Sequence, residues 1–336
     1  MATPRADVET GASLSGSRRS RLGDAVWKRV VMVGAVGLIV LLALIVLVLA
    51  ADGSSALRRF GFGFLTNTGW FPTMNIFGAA PYIYATILTS VIALVLGVPV
   101  GVGLALFVTE VCPKRLRAPL ATLSDLLAAI PSVVYGLWGI FVLAPWMGTT
   151  LEPTLRGSLG HVPGLGLLFN GDTNGGYNIL TAGVILAIMI LPIISSISRE
   201  VLATVPRDLR DGAYALGATR YEVIRGVTLP FARGGVIGGS MLGLGRALGE
   251  TIAVTMVIGS AKGVVTGHLF RPADTIASVI ASNFNEAGHG SLEASTLVSL
   301  ALILVVISLG FAALSRLLVR RTTRQARAAM FAQGSA

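Results

Sequence analysis

The feature that most constrains the fold is a series of long apolar runs without charge. Runs longer than the roughly 18 residues that a helix needs to cross a bilayer lie at 30–51, 82–109, 126–151, 177–198 and 294–315. A further run, at 234–261, is interrupted only by the charges of Arg246 and Glu250. Because a backbone inside lipid must satisfy its own hydrogen bonds, each run predicts a helix. We therefore expect an all-α integral membrane protein with six transmembrane helices.

The distribution of basic residues predicts the orientation of these helices. Only 12% of the residues are charged and the net charge is +10, whereas a soluble domain has about 25% charged residues. Placing the N-terminus in the cytoplasm leaves most Lys and Arg inside, as is usual for membrane proteins. The basic residues that remain outside are Arg58, Arg59, Arg156, Lys262 and Arg271. Both termini are then cytoplasmic in a multi-pass protein of the cell (inner or plasma) membrane, and the positive charge is explained by membrane lipid rather than by nucleic acid.

The intervals between the apolar runs divide the chain into regions. The expected regions are a disordered basic cytoplasmic tail at 1–28, a first transmembrane helix at 29–51, an outer loop at 52–81, a permease core at 82–319 and a basic cytoplasmic tail at 320–336. The core is expected to hold five transmembrane helices and a coupling loop at 206–230. The first run exceeds the roughly 7–15 apolar residues of a cleaved signal peptide, so we expect it to be retained as an anchor.

Prolines, glycines and the one cysteine give local expectations. Pro131 and Pro192 lie inside apolar runs and are expected to kink their helices. The outer segment 148–176 contains Pro153, Pro163 and many glycines, which argue against a long helix. The single cysteine excludes an internal disulfide, and its position at a predicted helix end indicates no metal site.

The charged loop at 206–230 has the pattern of two short helices joined at a glycine. It contains Asp211-Gly-Ala-Tyr-Ala-Leu-Gly217, followed after nine residues by Val227-Thr-Leu229-Pro230. Pro206 suits a first helical turn, and Gly217 can adopt a positive φ where that helix ends. Such a unit can transmit force from a soluble partner, whereas an ordinary solvated loop would not.

This loop resembles the coupling loop, or EAA motif, of ABC-importer permeases. Ala213, Gly217, Leu229 and Pro230 match the motif, while Asp211 and Gly212 stand where the family has Glu and Ala, and Val227 stands for Ile. The resemblance implies that this loop contacts a separate ATPase.

Glycines line one face of the run at 234–261. Gly235, Gly239 and Gly243 are spaced four apart, as are Gly245 and Gly249. Small residues at this spacing let another helix approach closely. The partner helix can belong to this chain or to a second permease.

Arg246 and Glu250 are four residues apart in the same run. That spacing places them on one face of a continuous helix, where they can pair. Each charge costs roughly 2.5–3.5 kcal/mol at a helix centre in a membrane, and such residues usually mark a substrate path. Arginine also matches tetrahedral oxyanions with two parallel hydrogen bonds. The alternative is a closed salt bridge that only fixes the helix register.

Several segments together resemble the PstC family of phosphate-specific ABC-importer permeases. They include Phe77-Gly-Ala-Ala-Pro81, Val98-Pro-Val-Gly-Val-Gly103 leading to Glu110-Val-Cys-Pro113, Ile130-Pro-Ser-Val-Val-Tyr-Gly-Leu-Trp-Gly139, Ile190-Leu-Pro-Ile-Ile-Ser-Ser196 and Gly245-Arg-Ala-Leu-Gly-Glu-Thr251. The resemblance covers most of the chain, and the order of the segments with the Arg-Ala-Leu-Gly-Glu element makes it specific.

The resemblance implies a type I ABC-importer permease that moves inorganic phosphate into the cell. It implies a heterodimer with the homologous permease PstA, two copies of the ATPase PstB and the phosphate-binding protein PstS. Arg246 and Glu250 would correspond to residues implicated in phosphate passage. ATP and magnesium would be bound by the ATPase, because this chain has no GxxxxGK[ST] sequence, and no cofactor is expected on this chain.

Other functions remain open from the sequence alone. The same machine could carry another oxyanion, such as sulfate or molybdate. A secondary transporter or channel should show inverted repeats or a charged relay through several spans, and neither is apparent. An intramembrane enzyme would need a catalytic motif, and the spans contain neither HExxH nor a nucleophile elbow.

Overall fold

The computed structural model describes residues 18–164, 166–171, 174–263, 265, 267–288 and 290–333. The chain divides into two units, Met1–Val48 and Leu49–Ala336. Within the described residues, β-structure is limited to the isolated bridges Phe71–Ile76 and Gly259–Ala273, and the regular elements are helices. The expected all-α fold is therefore confirmed.

The helices of the first half are α1 Arg18–Phe60, α2 Gly63–Thr66, α3 Ala80–Leu106, α4 Lys114–Ala129, α5 Ser132–Trp138, α6 Ala144–Trp146, α7 Glu152–Leu159 and α8 Gly166–Phe169. Those of the second half are α9 Ile179–Ala203, α10 Arg207–Ala215, α11 Arg220–Val223, α12 Leu229–Leu248, α13 Ile252–Val257, α14 Ile276–Asn283 and α15 Leu292–Gln333. A short 3₁₀ helix, Pro72–Met74, lies between α2 and α3.

Helix α1 is longer at both ends than the predicted span at 29–51. It begins at Arg18 and ends at Phe60, so residues 18–28 of the tail expected to be disordered are helical, and residues 1–17 lie outside the described part. Hydrogen bonds inside a helix do not require lipid, so the apolar run marks the span but not the ends of the helix. The outer loop expected at 52–81 accordingly begins with the last turns of α1.

Five helical stretches of the described chain are long and apolar enough to cross a membrane. They are Val26–Phe60, Ala80–Val111, Ser132–Leu159, Ile179–Ala203 and Leu292–Arg320. The run at 234–261 is divided between α12 and α13. The total of six spans therefore stays a prediction, as does the cytoplasmic position of both termini.

Wide π-helical turns precede several prolines. The π turns Phe107–Val111, Gly139–Leu143, Met147–Leu151 and Ile224–Thr228 each end two residues before a proline, namely Pro113, Pro145, Pro153 and Pro230. Proline has no N–H and its ring collides with the carbonyl four residues earlier, and a wide turn provides a different hydrogen-bond spacing at that position.

The proline-based expectations have different outcomes. The helical stretch continues through Pro153 but ends at Leu159, and the short α8 follows it, so the described part of the segment 148–176 is not one long helix, as expected. Pro131 ends α4 completely, because Ile130 is extended at φ −66° and ψ 127°, as is usual for a residue before proline. Pro192, in contrast, lies inside an uninterrupted α9.

Helix α9 is the central helix of the unit at 49–336. Its neighbours include α3, α4 and α12, and the large aliphatic residues Ile185, Ile190 and Ile194 are fully buried on it. Close approach of α3 depends on small residues: a Cβ added to Gly97 or Gly101 would lie 3.0 Å from Ile190 or Ile194 side-chain atoms. A second core, around Phe64, Trp70, Phe77 and Tyr82, packs against α14 and α15, so these aromatic side chains of the segment before and at the start of α3 are buried.

The glycine face of α12 packs within this chain. Cβ atoms added to Gly235, Gly239 and Gly243 would meet Val201, Ile197 and Ile194 of α9. The predicted packing role is thus realised for these three glycines inside the chain's own bundle. Gly245 and Gly249 face no side chain within 4 Å in the described structure, so they do not take part in this contact.

We expect Gly239→Ala to destabilise the protein and Gly238→Ala to be neutral or stabilising. The added Cβ at Gly239 would lie 3.0 Å from Ile197 Cγ2, whereas Gly238 has nothing within 4 Å. Alanine is favoured over glycine in a helix by about 1 kcal/mol, but overpacking costs about 1–3 kcal/mol. Thermal unfolding of the two variants in one detergent measures the difference, and equal midpoints would contradict the packing.

Candidate functional site

The predicted coupling loop folds as two helical elements joined at a glycine. Helix α10 begins after Pro206, and at its end Ala218 N donates to Ala213 O at 3.1 Å while Gly217 N donates to Tyr214 O at 2.9 Å. This pair of bonds is the Schellman arrangement, which requires a left-handed residue after the helix. Gly217 supplies it with φ +86°. The positive φ predicted for Gly217 is therefore confirmed, and its role in ATPase coupling stays a prediction.

The second element starts at a reciprocal cap. The Thr219 hydroxyl accepts from Glu222 N, and the Glu222 carboxylate accepts from Thr219 N at 2.8 Å. These two bonds satisfy N–H groups that have no partner within the helix. The bond from Thr219 N is the largest cause that lowers the pKa of Glu222 below its ordinary value. Glu222 is fully exposed, so the cap fixes local geometry at the surface.

Helix α11 continues without interruption into α12. The helical stretch runs from Arg220 through the π turn Ile224–Thr228 to Leu248, and Leu229 and Pro230 form the first turn of α12. A helix rises about 1.5 Å per residue, so this helical stretch separates Arg220 from Arg246 by about 40 Å. The second short helix was expected to be separate from the span, and this continuity makes it part of one helical rod.

The surface of α10 is exposed and partly apolar. Leu216, the C-cap residue that follows α10, is 91% exposed, and Leu209 and Tyr214 on the helix are exposed too. Asp211 and Gly212 are exposed, and a Cβ at Gly212 would meet nothing within 4 Å, while Ala213 is half-buried. Side chains that large and apolar are unusual at a solvated loop tip, so this face has the character of a docking surface for a protein.

Arg246 and Glu250 do not lie on one continuous helix. Helix α12 ends at Leu248, Gly249 has φ −96° and ψ 1°, and α13 starts at Ile252. Within the part of the chain that the structure describes, the two residues form no ion pair with each other. The expected pairing is therefore wrong for this conformation, because Gly249, a poor helix former, ends the helix between them.

Each of the two charges instead lies at a helix end that suits it. Arg246 is in the last turn of α12, where a cation is favoured by the helix dipole. Glu250 precedes α13, and its Oε1 accepts from Ala253 N at 3.4 Å. Arg246 is exposed in the isolated chain, and its guanidinium does not pair with the carboxylate of Glu250. The guanidinium is therefore available to an anion.

The break after Leu248 lies close to the break at Ile130. Helix α5, which begins after Pro131, packs on α13: a Cβ at Gly136 would lie 3.2 Å from the Ala253 Cα. The Tyr135 hydroxyl donates to Leu127 O at 2.9 Å across the first break. Two interrupted helical stretches thus pack together through α5 and α13, and interrupted helices are an arrangement that transporters use to expose backbone groups to a substrate.

Two ion pairs near the coupling loop were not recognised from the sequence. Arg210 Nη1 lies 2.9 Å from Glu110 Oε1, and Arg199 Nη2 donates to Asp125 Oδ1 at 2.5 Å. Glu110 and Arg199 occur at the ends of apolar runs, and this position is the sequence feature that marks them as candidates for ion pairs. Their partners are 100 and 74 residues away in sequence, so no local spacing identifies the pairs. Among the described residues no group of three or more His, Cys, Asp or Glu could hold a metal ion.

Comparison with known proteins agrees with this architecture. Residues 97–324 match the family of binding-protein-dependent transport system inner membrane components. A bacterial alginate ABC transporter solved in complex with an alginate pentasaccharide-bound periplasmic protein gives a TM-score of 0.54 at 16% identity, covering 88% of this chain and 98% of that chain. That likeness shows the fold alone. Fold and family together define an ABC-importer permease, a multi-pass inner-membrane component rather than an enzyme.

The sequence relatives narrow the family further. The phosphate transport system permease protein PstC of Mesorhizobium japonicum is 47% identical over 304 residues, 90% of this chain and 92% of the relative. PstC of Haemophilus influenzae is 43% identical over 298 residues, 89% of this chain and 93% of the relative. The chain belongs to the PstC family of permeases.

Proposed function

We propose that this chain is the membrane-spanning permease subunit of an ATP-driven importer that moves inorganic phosphate into the cell. Its relatives at 43–47% identity are phosphate transport permeases. Phosphate is a tetrahedral oxyanion, and an arginine guanidinium binds such anions with two parallel hydrogen bonds. Arg246, exposed at a helix break and free of its expected carboxylate partner, is the residue that we assign to this contact.

The observation that carries the mechanism is the helical stretch from Arg220 to Leu248. One end of this rod adjoins the exposed coupling helix α10, and the other end carries Arg246. A displacement of α10 by a closing ATPase dimer is passed along the rod and moves the end that holds the arginine. The cavity then opens outward, Arg246 meets phosphate released by the binding protein, and reopening of the ATPases returns the site to the cytoplasm.

Glu250 is assigned a role that does not require a permanent salt bridge. It lies two residues after the end of α12 and next to the start of α13. A carboxylate there repels anions that approach without the guanidinium, and it weakens phosphate binding enough for release. Closure of the break during the cycle would bring the two charges onto one helical face, where spacing of four allows them to pair.

The partners of the chain complete the proposal. The homologous permease PstA forms the other half of a heterodimer, two copies of PstB contact the coupling loops and bind ATP with magnesium, and PstS delivers phosphate from outside. This chain binds no cofactor of its own. Six spans with both termini in the cytoplasm place the loop at 206–230 on the side of PstB.

The experiment that tests the function measures assembly and uptake together. We expect the tagged chain, purified in mild detergent, to carry a second permease and an ATPase, and we expect proteoliposomes of the complex with binding protein to accumulate labelled phosphate only with ATP. Labelled sulfate and molybdate serve as competing cargoes. Purification without an ATPase rejects the assembly, and preferential uptake of sulfate or molybdate rejects phosphate as the cargo.

A further inference from the structure

Arg210 joins the coupling helix to the ends of two membrane helices. Its Nη2 donates to Leu202 O, in the last turn of α9, at 2.7 Å. Its Nη1 lies 2.9 Å from Oε1 of Glu110, in the π turn that extends α3. The contact with Glu110 is a close ion pair.

The contact is shielded from water. The side chain of Arg210 is 20% exposed and that of Glu110 is 9% exposed. Charges interact more strongly as the surrounding dielectric falls, and removing one partner of a shielded pair leaves the other charge uncompensated. This pair therefore differs from exposed ion pairs, which contribute little.

Arg210 links α10 directly to α9 and to the π turn that extends α3. Leu209 and Leu216 of the coupling loop are exposed and available to a partner. The side chain of Arg210, in contrast, is directed into the chain. Besides this link, α10 packs against α11 and the π turn Ile224–Thr228, and it is joined to the rest of the chain through the short segments 204–206 and 216–219. Gly217 has a left-handed backbone there, so force applied to α10 could be absorbed by rotation at these segments.

We propose that Arg210, with Glu110 as its partner, is a positioning residue for energy coupling: it anchors α10 to α3 and α9 so that movement of α10 is passed to the membrane helices rather than absorbed by its flanking loops. The proposal rests on the proposed function of the chain as an ATP-driven phosphate permease. It assigns to this pair no contact with phosphate and none with ATP.

Arg207 provides a matched control on the same helix. Both arginines line one cavity of about 670 Å³ between α4, α9 and α10. Arg207 is exposed and pairs with no carboxylate in the described part of the chain. A loss of positive charge at this surface is therefore common to Arg207→Ala and Arg210→Ala, and only the second removes the anchor.

The test measures phosphate import and ATP hydrolysis in the same proteoliposomes of the complete complex. We expect Arg210→Ala and the nearly isosteric Glu110→Gln to assemble and hydrolyse ATP within about twofold of wild type, while phosphate imported per ATP falls by about tenfold because a shielded charge is left unpaired. Arg207→Ala should keep the wild-type ratio. The exchanged pair Arg210→Glu with Glu110→Arg should recover part of the ratio lost in Arg210→Glu alone.

Three results would overturn the inference. An unchanged ratio in both Arg210→Ala and Glu110→Gln would show that the pair does not couple. An equal loss in Arg207→Ala would assign the effect to surface charge. Failure of both anchor variants to assemble would assign the pair to folding. A wild-type complex that imports no phosphate would instead reject the proposed function, so the two failures are distinguishable.

Discussion

Arg246→Ala should reduce ATP-driven phosphate uptake by about tenfold to a hundredfold. Hydrogen bonds to a charged group contribute about 1.5–3 kcal/mol, and about 1.4 kcal/mol corresponds to a factor of ten. Arg246 is exposed at the end of α12 and makes no ion pair with Glu250. Its removal should therefore leave insertion and assembly unchanged. Uptake of labelled phosphate into proteoliposomes, normalised to the amount of assembled complex, measures the effect.

Arg246→Lys is the matched control for charge. Lysine keeps a positive charge but presents a single ammonium rather than a planar fork, so uptake should lie between wild type and Arg246→Ala. Normal uptake in Arg246→Ala would remove the residue from the pathway. It would leave the simpler account in which Arg246 only complements the dipole at the end of α12.

Leu216→Asp should weaken the contact between this chain and its ATPase by about tenfold to a hundredfold. The side chain is 91% exposed in the isolated chain, and full burial of a leucine against a partner contributes about 1.5–3 kcal/mol. An aspartate at the same position loses this contribution and brings a charge into the contact. The ATPase concentration needed for half-maximal reassembly with the purified permease heterodimer measures the change.

Leu167→Asp is the control for that substitution. Leu167 in α8 is 72% exposed and lies in the segment predicted to be outside the membrane. The substitution Leu167→Asp introduces the same charge at a similarly exposed leucine. We expect ATPase binding to stay at the wild-type level in this variant. Equal binding by the Leu216→Asp and wild-type complexes would mean that the exposed face of α10 is not the docking surface.

The membrane character and the helix–glycine–helix unit could be predicted because their causes are local. An apolar run longer than the bilayer forces a helix whatever surrounds it, and Gly217 suits a left-handed residue at a helix end. The long continuation from Arg220 to Leu248 was missed. Pro230 lies inside it, and the π turn that precedes this proline depends on backbone geometry that the sequence pattern does not reveal.

The arrangement of the candidate site was harder to predict because spacing presupposes a continuous helix. Arg246 and Glu250 share a face only if Gly249 stays helical, and in the structure α12 ends before it. The pairs Arg210–Glu110 and Arg199–Asp125 join segments far apart in sequence. The fold that brings such segments together is set by packing on α9, through contacts such as Gly101 with Ile194, which no local pattern reveals.

The most direct test of coupling follows the accessibility of one position beside Arg246. A Cβ added at Gly245 would meet nothing within 4 Å, so this position has room for a cysteine. The variant Gly245→Cys also carries Cys112→Ser, which removes the natural cysteine. It can be labelled by a membrane-impermeant thiol reagent added outside. The account predicts labelling that rises when the ATPases are trapped closed with vanadate, and no such rise when Leu216→Asp is added. Labelling that is the same with and without the trapped ATPases would contradict transmission of movement from the coupling loop to the arginine.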